Sequence, residues 1–122
     1  IALYQELDNL TKESEVEAYK TRLIDRFGAI PPQGEELIRV VALRQLGREL
    51  GFEKMILREN RLRCVFLSGN DDYFESKVFE RIINFYAAHA NRCKLDERNG
   101  KRYLVVDNIK SIKDAVNFLK RI

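Results

Sequence analysis

The chain is poor in the residues from which most catalytic and metal sites are built. It has one histidine, His89, and two cysteines, Cys64 and Cys93, among 122 residues. A lone histidine leaves little material for a Ser-His-Asp or Cys-His arrangement. Two cysteines are too few for a disulfide framework, and they lack the paired CxxC spacing of a zinc site. The sequence therefore offers no obvious catalytic or metal-binding constellation.

Other absences exclude further classes of protein. There is no GxxxxGK[ST] or GxGxxG run, so no nucleotide-binding loop is expected. No apolar run approaches the roughly 20 residues that span a bilayer, and no signal-peptide pattern opens the chain. With only 6 glycines and 2 prolines, no long linker is expected. The chain begins Ile1-Ala2-Leu3, already in helical phase and without Met, so we expect it to be cut from a longer protein.

The remaining composition is that of a globular domain. Apolar residues make up 45% of the chain and charged residues 34%, a balance that argues against disorder. A chain of this length suits one domain and can bury roughly two thirds of its unfolded surface. We predict a single domain over residues 1–122, helical over 1–51 and ββαββα over 52–122. The net charge of +3 is too small to indicate nucleic-acid binding by itself.

Three helices are predicted in the first part. Leucines at helical spacing indicate a short helix over residues 1–10. A capping box at residues 14–17 opens a second helix, which ends where Gly28 can act as a left-handed C-cap. The third begins near the two prolines and stops at Gly51. Its apolar residues wrap more than half of its circumference, which is typical of a central, buried helix.

One glycine lies inside the third helix. Gly47 in a helix interior costs about 1 kcal/mol relative to alanine. We expect the close approach of another element to explain it.

The apolar period changes after Gly51, where two β-hairpins are predicted. Turns are expected at Glu59-Asn60 and at Asn99-Gly100, the second being the strongest short signal for a type I′ turn. The predicted strands are 52–59, 61–67, 94–98 and 101–106. Such hairpins form an antiparallel sheet with helices over one face or one end, so the fold class is α+β.

Two more helices accompany the hairpins. Asp71 or Asp72 is expected to cap one of them, and Ser111 to open the last. These acidic residues are better explained by capping and by the helix dipole than by metal binding. His89 is interpreted as a helix-end residue rather than a base, and Cys64 as a buried, reduced thiol in phase with apolar neighbours.

The hairpin strands are rich in basic residues. On one exposed face they could follow a phosphate backbone, with Tyr103 as a stacking surface. The acidic residues interleaved with them favour instead a solvated, mixed-sign sheet edge. A small nucleic-acid-binding module is therefore the alternative function. The basic residues concerned are Arg58, Arg61, Arg63, Lys94, Arg98, Lys101 and Arg102.

The end of the second helix carries an unusual charge. Asp25 lies near a helix C-terminus, where the dipole prefers cations. A residue placed against local preference sometimes marks a functional surface. The alternative is an ordinary i, i+3 pair between Arg22 and Asp25, worth a few tenths of a kcal/mol.

A resemblance is carried by this same segment. The run LIDRFGAIP at residues 23–31 resembles the C-terminal domain of bacterial transcription-repair coupling factor (Mfd). The likeness continues through LRQL at 43–46 and LGF at 50–52, and it includes Tyr4 in the first helix. It is strong over residues 1–56 and looser beyond them.

The resemblance implies a role without catalysis. The parent protein is an ATP-dependent DNA translocase of the bacterial cytoplasm that releases RNA polymerase stalled at DNA damage. It then recruits nucleotide excision repair by binding UvrA through a UvrB-like N-terminal module. The C-terminal domain would pack on that module and mask the UvrA-binding surface. ATP and Mg are expected only in the motor domains of the parent, so no cofactor and no membrane are expected here.

The resemblance also suggests site residues. Asp25 matches an acidic position that the family would use against its N-terminal module, and Arg26 lies beside it. Arg22 stands where the family usually has a glutamate. Either the partner surface differs as well, or the intramolecular interface depends on other residues.

Overall fold

The computed structural model describes residues 13–30, 32–69 and 71–122, and the helix predicted over residues 1–10 lies outside them. The helices are α1 (Glu13–Phe27), α2 (Pro32–Leu50), α3 (Lys77–Ala88) and α4 (Ile112–Leu119), with a 3-10 helix at Asp71–Glu75. The strands are β1 (Phe52–Arg58), β2 (Arg61–Phe66), β3 (Cys93–Arg98) and β4 (Lys101–Asp107). The predicted α+β class is confirmed. None of the described helices is long and apolar enough to cross a membrane.

The chain divides into two compact units, one reaching to Gln45 and the other formed by Leu46–Ile122. In the first unit, α1 and the first part of α2 bury one face against each other. The core of this helical pair consists of Val16, Tyr19, Ile38 and Val41, with Leu23, Ile30 and Leu37 packed against it. The buried stripe of α1 thus runs along Val16, Tyr19 and Leu23.

The two ends of α1 differ in how well the sequence predicted them. Gly28 adopts φ 84° and its amide donates to the Ile24 carbonyl at 2.8 Å, which is the expected left-handed C-cap. The predicted capping box is wrong, because α1 already includes Glu13 and Ser14.

The second unit is built on a four-stranded antiparallel sheet in the order β1-β2-β4-β3. Both predicted hairpins are confirmed. Glu59 and Asn60 have φ 54° and 60°, and Asn99 and Gly100 have φ 54° and 77°, as two-residue turns of the primed type require. The hairpins join where β2 pairs antiparallel with β4.

The first face of the sheet forms the core of this unit. Leu62 pairs with Val106 and Cys64 with Leu104, and these four side chains are at most 1% exposed. Helix α3 packs here, since the Phe79 ring lies 5.5 Å from that of Phe66 at the end of β2. Helix α4 packs on α3 through Phe118 and Phe85, whose ring centroids are 5.1 Å apart.

The start of α3 corrects a second prediction. Asp71 and Asp72 open the 3-10 helix and do not cap an α-helix. The N-cap is Ser76, whose hydroxyl accepts from the Phe79 amide at 3.2 Å and donates to the Tyr73 carbonyl at 2.6 Å. The tight turn before it holds Tyr73 in the interior at 8% exposure, a tertiary demand that local capping rules do not contain.

Tyr73 packs directly over the junction between α2 and β1. Gly51 has φ 83° there, and a Cβ on it would lie 2.8 Å from Cδ1 of the Tyr73 ring and closer still to other ring atoms. The Tyr73 hydroxyl donates to the Leu50 carbonyl at 2.5 Å, and the Leu67 amide donates to the Gly51 carbonyl at 2.9 Å. Only glycine fits both the backbone and the space at this position.

Gly47 also has a close neighbour, as expected. A Cβ at this position would lie 3.2 Å from the Met55 sulfur and closer to its terminal methyl group. The contact is with the flexible end of a side chain, so it is easier to relieve than the one at Gly51.

We predict that Gly51→Ala strongly destabilises the protein. A left-handed alanine costs about 1–2 kcal/mol, and forcing a methyl group into the Tyr73 ring adds about 1–3 kcal/mol. Gly69→Ala is the matched control, because Gly69 has φ 79° with no atom within 4 Å of an added Cβ. Urea unfolding of both variants measures the difference. Equal losses would contradict the packing account of Gly51.

Alkaline pH tests the Tyr73 contact. Burial, and to a smaller extent the nearby Cys64, raise the pKa of Tyr73 from 10.0 to about 12. The folded state therefore keeps the phenol proton that the unfolded chain loses near pH 10. The raised pKa therefore adds to the free energy of unfolding. This contribution is complete below pH 10 and is lost as the pH rises towards 12, at about 1.4 kcal/mol per pH unit. Tyr73→Phe should unfold less steeply than wild type across this interval, and parallel curves would contradict the assignment.

Candidate interaction site

The last two turns of α1 present the residues named by the sequence. Arg22, Asp25 and Arg26 are all exposed in the first unit. Tyr19, which is 2% exposed, anchors the buried stripe of α1. Since α1 is anchored along that stripe and ended sharply by the Gly28 cap, these side chains stand on a defined helical surface.

Ile24 is a member of this surface that the sequence interpretation missed. It is 46% exposed, although it is a large aliphatic residue next to the buried stripe. Along a helix each residue turns by about 100°, so Ile24 points about 100° away from Leu23 towards the Asp25 side. This offset could have been predicted from the sequence. The exposed surface combines an apolar side chain, Ile24, with an acidic one, Asp25.

The negative charge of Asp25 does not stabilise the helix that carries it. Its carboxylate lies in the last turn, near the negative end of the helix dipole, where Arg26 is the favourable charge. The Arg22 guanidinium carbon lies 5.7 Å from the centre of the Tyr19 ring, on the preceding turn. The three charged residues are thus brought together on one end of α1, while Arg22 also contacts an aromatic residue of the helix itself.

His89 is not available as a base. It is the C-cap of α3, as predicted, and its Nδ1 lies 2.9 Å from the Phe85 carbonyl, to which it donates. Nε2 then accepts from the Arg121 guanidinium at 3.2 Å, and the imidazole stacks on the Phe85 ring at 4.0 Å. Both nitrogens therefore have structural partners.

The two cysteines do not offer a reactive thiol. Cys64 and Cys93 are free and buried. Burial raises the pKa of both thiols, which keeps them protonated and unreactive. Within residues 13–30, 32–69 and 71–122, no group of three or more His, Cys, Asp and Glu side chains could hold a metal ion.

The basic residues of the hairpins separate into three groups. Arg102 lies on the first sheet face, with its guanidinium 4.7 Å from the centre of the Phe74 ring. Arg98 and Lys101 lie at one end of the sheet, paired with Asp96 at 3.1 Å and Glu53 at 3.6 Å. The remaining four lie nearer the other end of the sheet on its second face, which is the face opposite to that of Leu62 and Cys64; they are Arg58, Arg61, Arg63 and Lys94.

The architecture is that of a small α+β domain in which a helical pair precedes a helix-covered antiparallel sheet. A solved structure described as the C-terminal domain of transcription-repair coupling factor has the same fold. It matches 98% of this chain and 75% of its own with a TM-score of 0.70, at 18% sequence identity. At this identity the likeness establishes the fold alone.

The family follows from the sequence comparison. The TRCF domain model matches residues 1–76, which is more than half of the chain, so the chain belongs to the TRCF domain family. The transcription-repair-coupling factor of Rickettsia conorii is 28% identical over 104 residues, which cover 85% of this chain and 9% of that protein. The Escherichia coli transcription-repair-coupling factor is 34% identical over 55 residues, 45% of this chain and 5% of that protein.

The chain therefore spans less than a tenth of the length of these relatives. The resemblance first seen in residues 23–31 is confirmed at the level of family and fold. The surface formed by Arg22, Ile24, Asp25 and Arg26, called the α1 surface below, lies within the part of the chain that the family model matches.

Proposed function

We propose that this chain is a non-catalytic, autoinhibitory domain of a transcription-repair coupling factor. It docks in cis on the UvrB-like N-terminal module of the same protein through the α1 surface and thereby masks the UvrA-binding surface. The observation that carries this proposal is the exposed Ile24–Asp25 pair at the end of α1, inside the family-matched region. The parent would be the ATP-dependent DNA translocase that acts on stalled RNA polymerase, with ATP and Mg bound in its motor domains.

The shape of the α1 surface suits a contact that must open. Ile24 offers one apolar side chain for burial, and the adjacent Asp25 offers a charged one at the rim. Interfaces between domains of one chain are typically modest and partly polar. Tethering raises the effective concentration of the partner, so a weak contact is sufficient to mask a site.

Asp25 supplies the negative charge of the proposed contact. Because its carboxylate opposes the helix dipole, it is not explained by the stability of α1. A basic patch on the partner would complement it and would restrict the docking orientation. The partner is therefore expected to present lysine or arginine side chains towards Asp25.

Asp25→Arg is expected to weaken binding to the isolated UvrB-like module about tenfold, since a favourable charge contact becomes a repulsive one. Calorimetric titration at low and moderate salt measures the change. The loss should be largest at low salt, where surface charges are least screened.

Glu17→Arg is the matched control for this measurement. Glu17 is exposed on the same helix, two turns away, and undergoes the same charge change. It should leave the affinity within about twofold. Equal weakening by both substitutions would indicate a diffuse charge effect and would refute docking at the α1 surface.

Arg22→Glu restores the acidic residue that the family usually has. It should tighten binding about threefold to tenfold, because a basic partner patch would then face two carboxylates and one fewer guanidinium. The same titration measures it. Weaker binding would mean that the partner carries an acidic residue opposite Arg22 and that this contact has been rewired.

A further inference from the structure

We propose that the β1–β2 hairpin binds the phosphate backbone of duplex DNA through a cluster formed by Arg58, Arg61 and Arg63. This inference is independent of docking through the α1 surface. These three residues line one concavity of about 530 Å³, together with Ile56 and Glu59. We refer to these three residues as the arginine cluster.

The strand register brings the arginines together. Arg58 pairs directly across from Arg61, and Arg63 follows two residues later on the same side of β2. Lys94 stands in the same row as Arg63, with Val105 between them. Because neighbouring strands lie about 4.8 Å apart, these cations share one small area of the second sheet face.

The acidic residues that the sequence interleaves are unevenly distributed in space. Two of them neutralise Arg98 and Lys101 at the far end of the sheet. Near the cluster, Asp107 holds the Arg61 Nε at 2.8 Å. Glu59 lines the concavity. In the described part of the chain, no carboxylate lies within ion-pair distance of Arg58 or Arg63.

The arrangement is unfavourable for the sheet itself. Like charges directly opposite each other on paired strands are destabilising, and Arg58 faces Arg61 in this way, although the Asp107 carboxylate offsets part of the Arg61 charge. An anion between the two guanidinium groups removes this repulsion. Guanidinium forks match phosphate oxygens bidentately and keep their charge at every physiological pH.

The lining favours a nucleic acid over an acidic protein segment. Protein partners are held by buried apolar and aromatic anchors, and Ile56 is the one apolar residue among the described lining residues. Single strands need aromatic stacking platforms, but Tyr103 lines a different concavity beside Lys101. Duplex DNA has the highest phosphate density along its axis and so gains most from a few cations.

Fluorescence anisotropy of a labelled 20-base-pair duplex with the 122-residue chain tests the proposal. We expect weak binding that falls steeply with salt, as in non-specific complexes. The double variant Arg58→Gln/Arg63→Gln should weaken binding about tenfold at low salt. It should also reduce the slope of log K against log salt by about 2, one unit for each phosphate that the protein then leaves unneutralised.

Arg98→Gln/Lys101→Gln is the matched control, because it removes two positive charges from the same sheet but at the ion-paired end. It should change the affinity less than twofold. No binding at low salt, equal losses in the two double variants, or tighter binding of poly-glutamate or of the single strand than of the duplex would each overturn the proposal.

A stability measurement separates binding from a structural role. Arg58→Gln alone should raise the urea midpoint slightly while lowering DNA affinity, since it relieves the repulsion from Arg61. A lower midpoint together with unchanged DNA affinity would assign Arg58 to the fold and would overturn its role in binding.

Discussion

At Gly51 the chain leaves α2 and enters β1, and the aromatic core of the second unit is assembled around this turn. The left-handed backbone and the Tyr73 ring can coexist there only because Gly51 has no side chain. The Tyr73 hydroxyl satisfies the Leu50 carbonyl, one of the acceptors that a helix end leaves unpaired. Tyr73 then lies against Phe66 and Phe79, which carry the contact between β2 and α3. The Leu50-Gly51-Phe52 run is thus required for the packing of Tyr73 at this turn.

With the fold secured by such contacts, the charges that oppose local preference become informative. Asp25 lies at the wrong end of a helix for its sign, and Arg58 faces Arg61 across a strand pair. Neither arrangement stabilises the element that carries it. Conflicts between local and global preference concentrate at functional sites, which is why the two proposals rest on these residues.

Local rules predicted the elements well and the contacts between them poorly. The Asn99-Gly100 turn and the Gly28 cap are set by backbone preferences that a short sequence carries by itself. The 3-10 helix at Asp71–Glu75 was missed because it exists to bury Tyr73, and its partner Gly51 lies 22 residues away. The exposure of Ile24 was recoverable from its angular offset on α1. The separation of the basic residues depends on pairing between distant strands, so the sequence alone favoured a mixed-sign surface and did not predict the arginine cluster.

The most direct test of the central proposal uses the full-length parent protein. Its affinity for UvrA should be measured with the domain intact, with residues 1–122 deleted, and with Asp25→Arg. Masking in cis predicts that deletion raises UvrA affinity by about 10²-fold or more, and that Asp25→Arg moves it in the same direction. Unchanged UvrA affinity after deletion would contradict the account, because a domain that covers no site cannot inhibit by covering it.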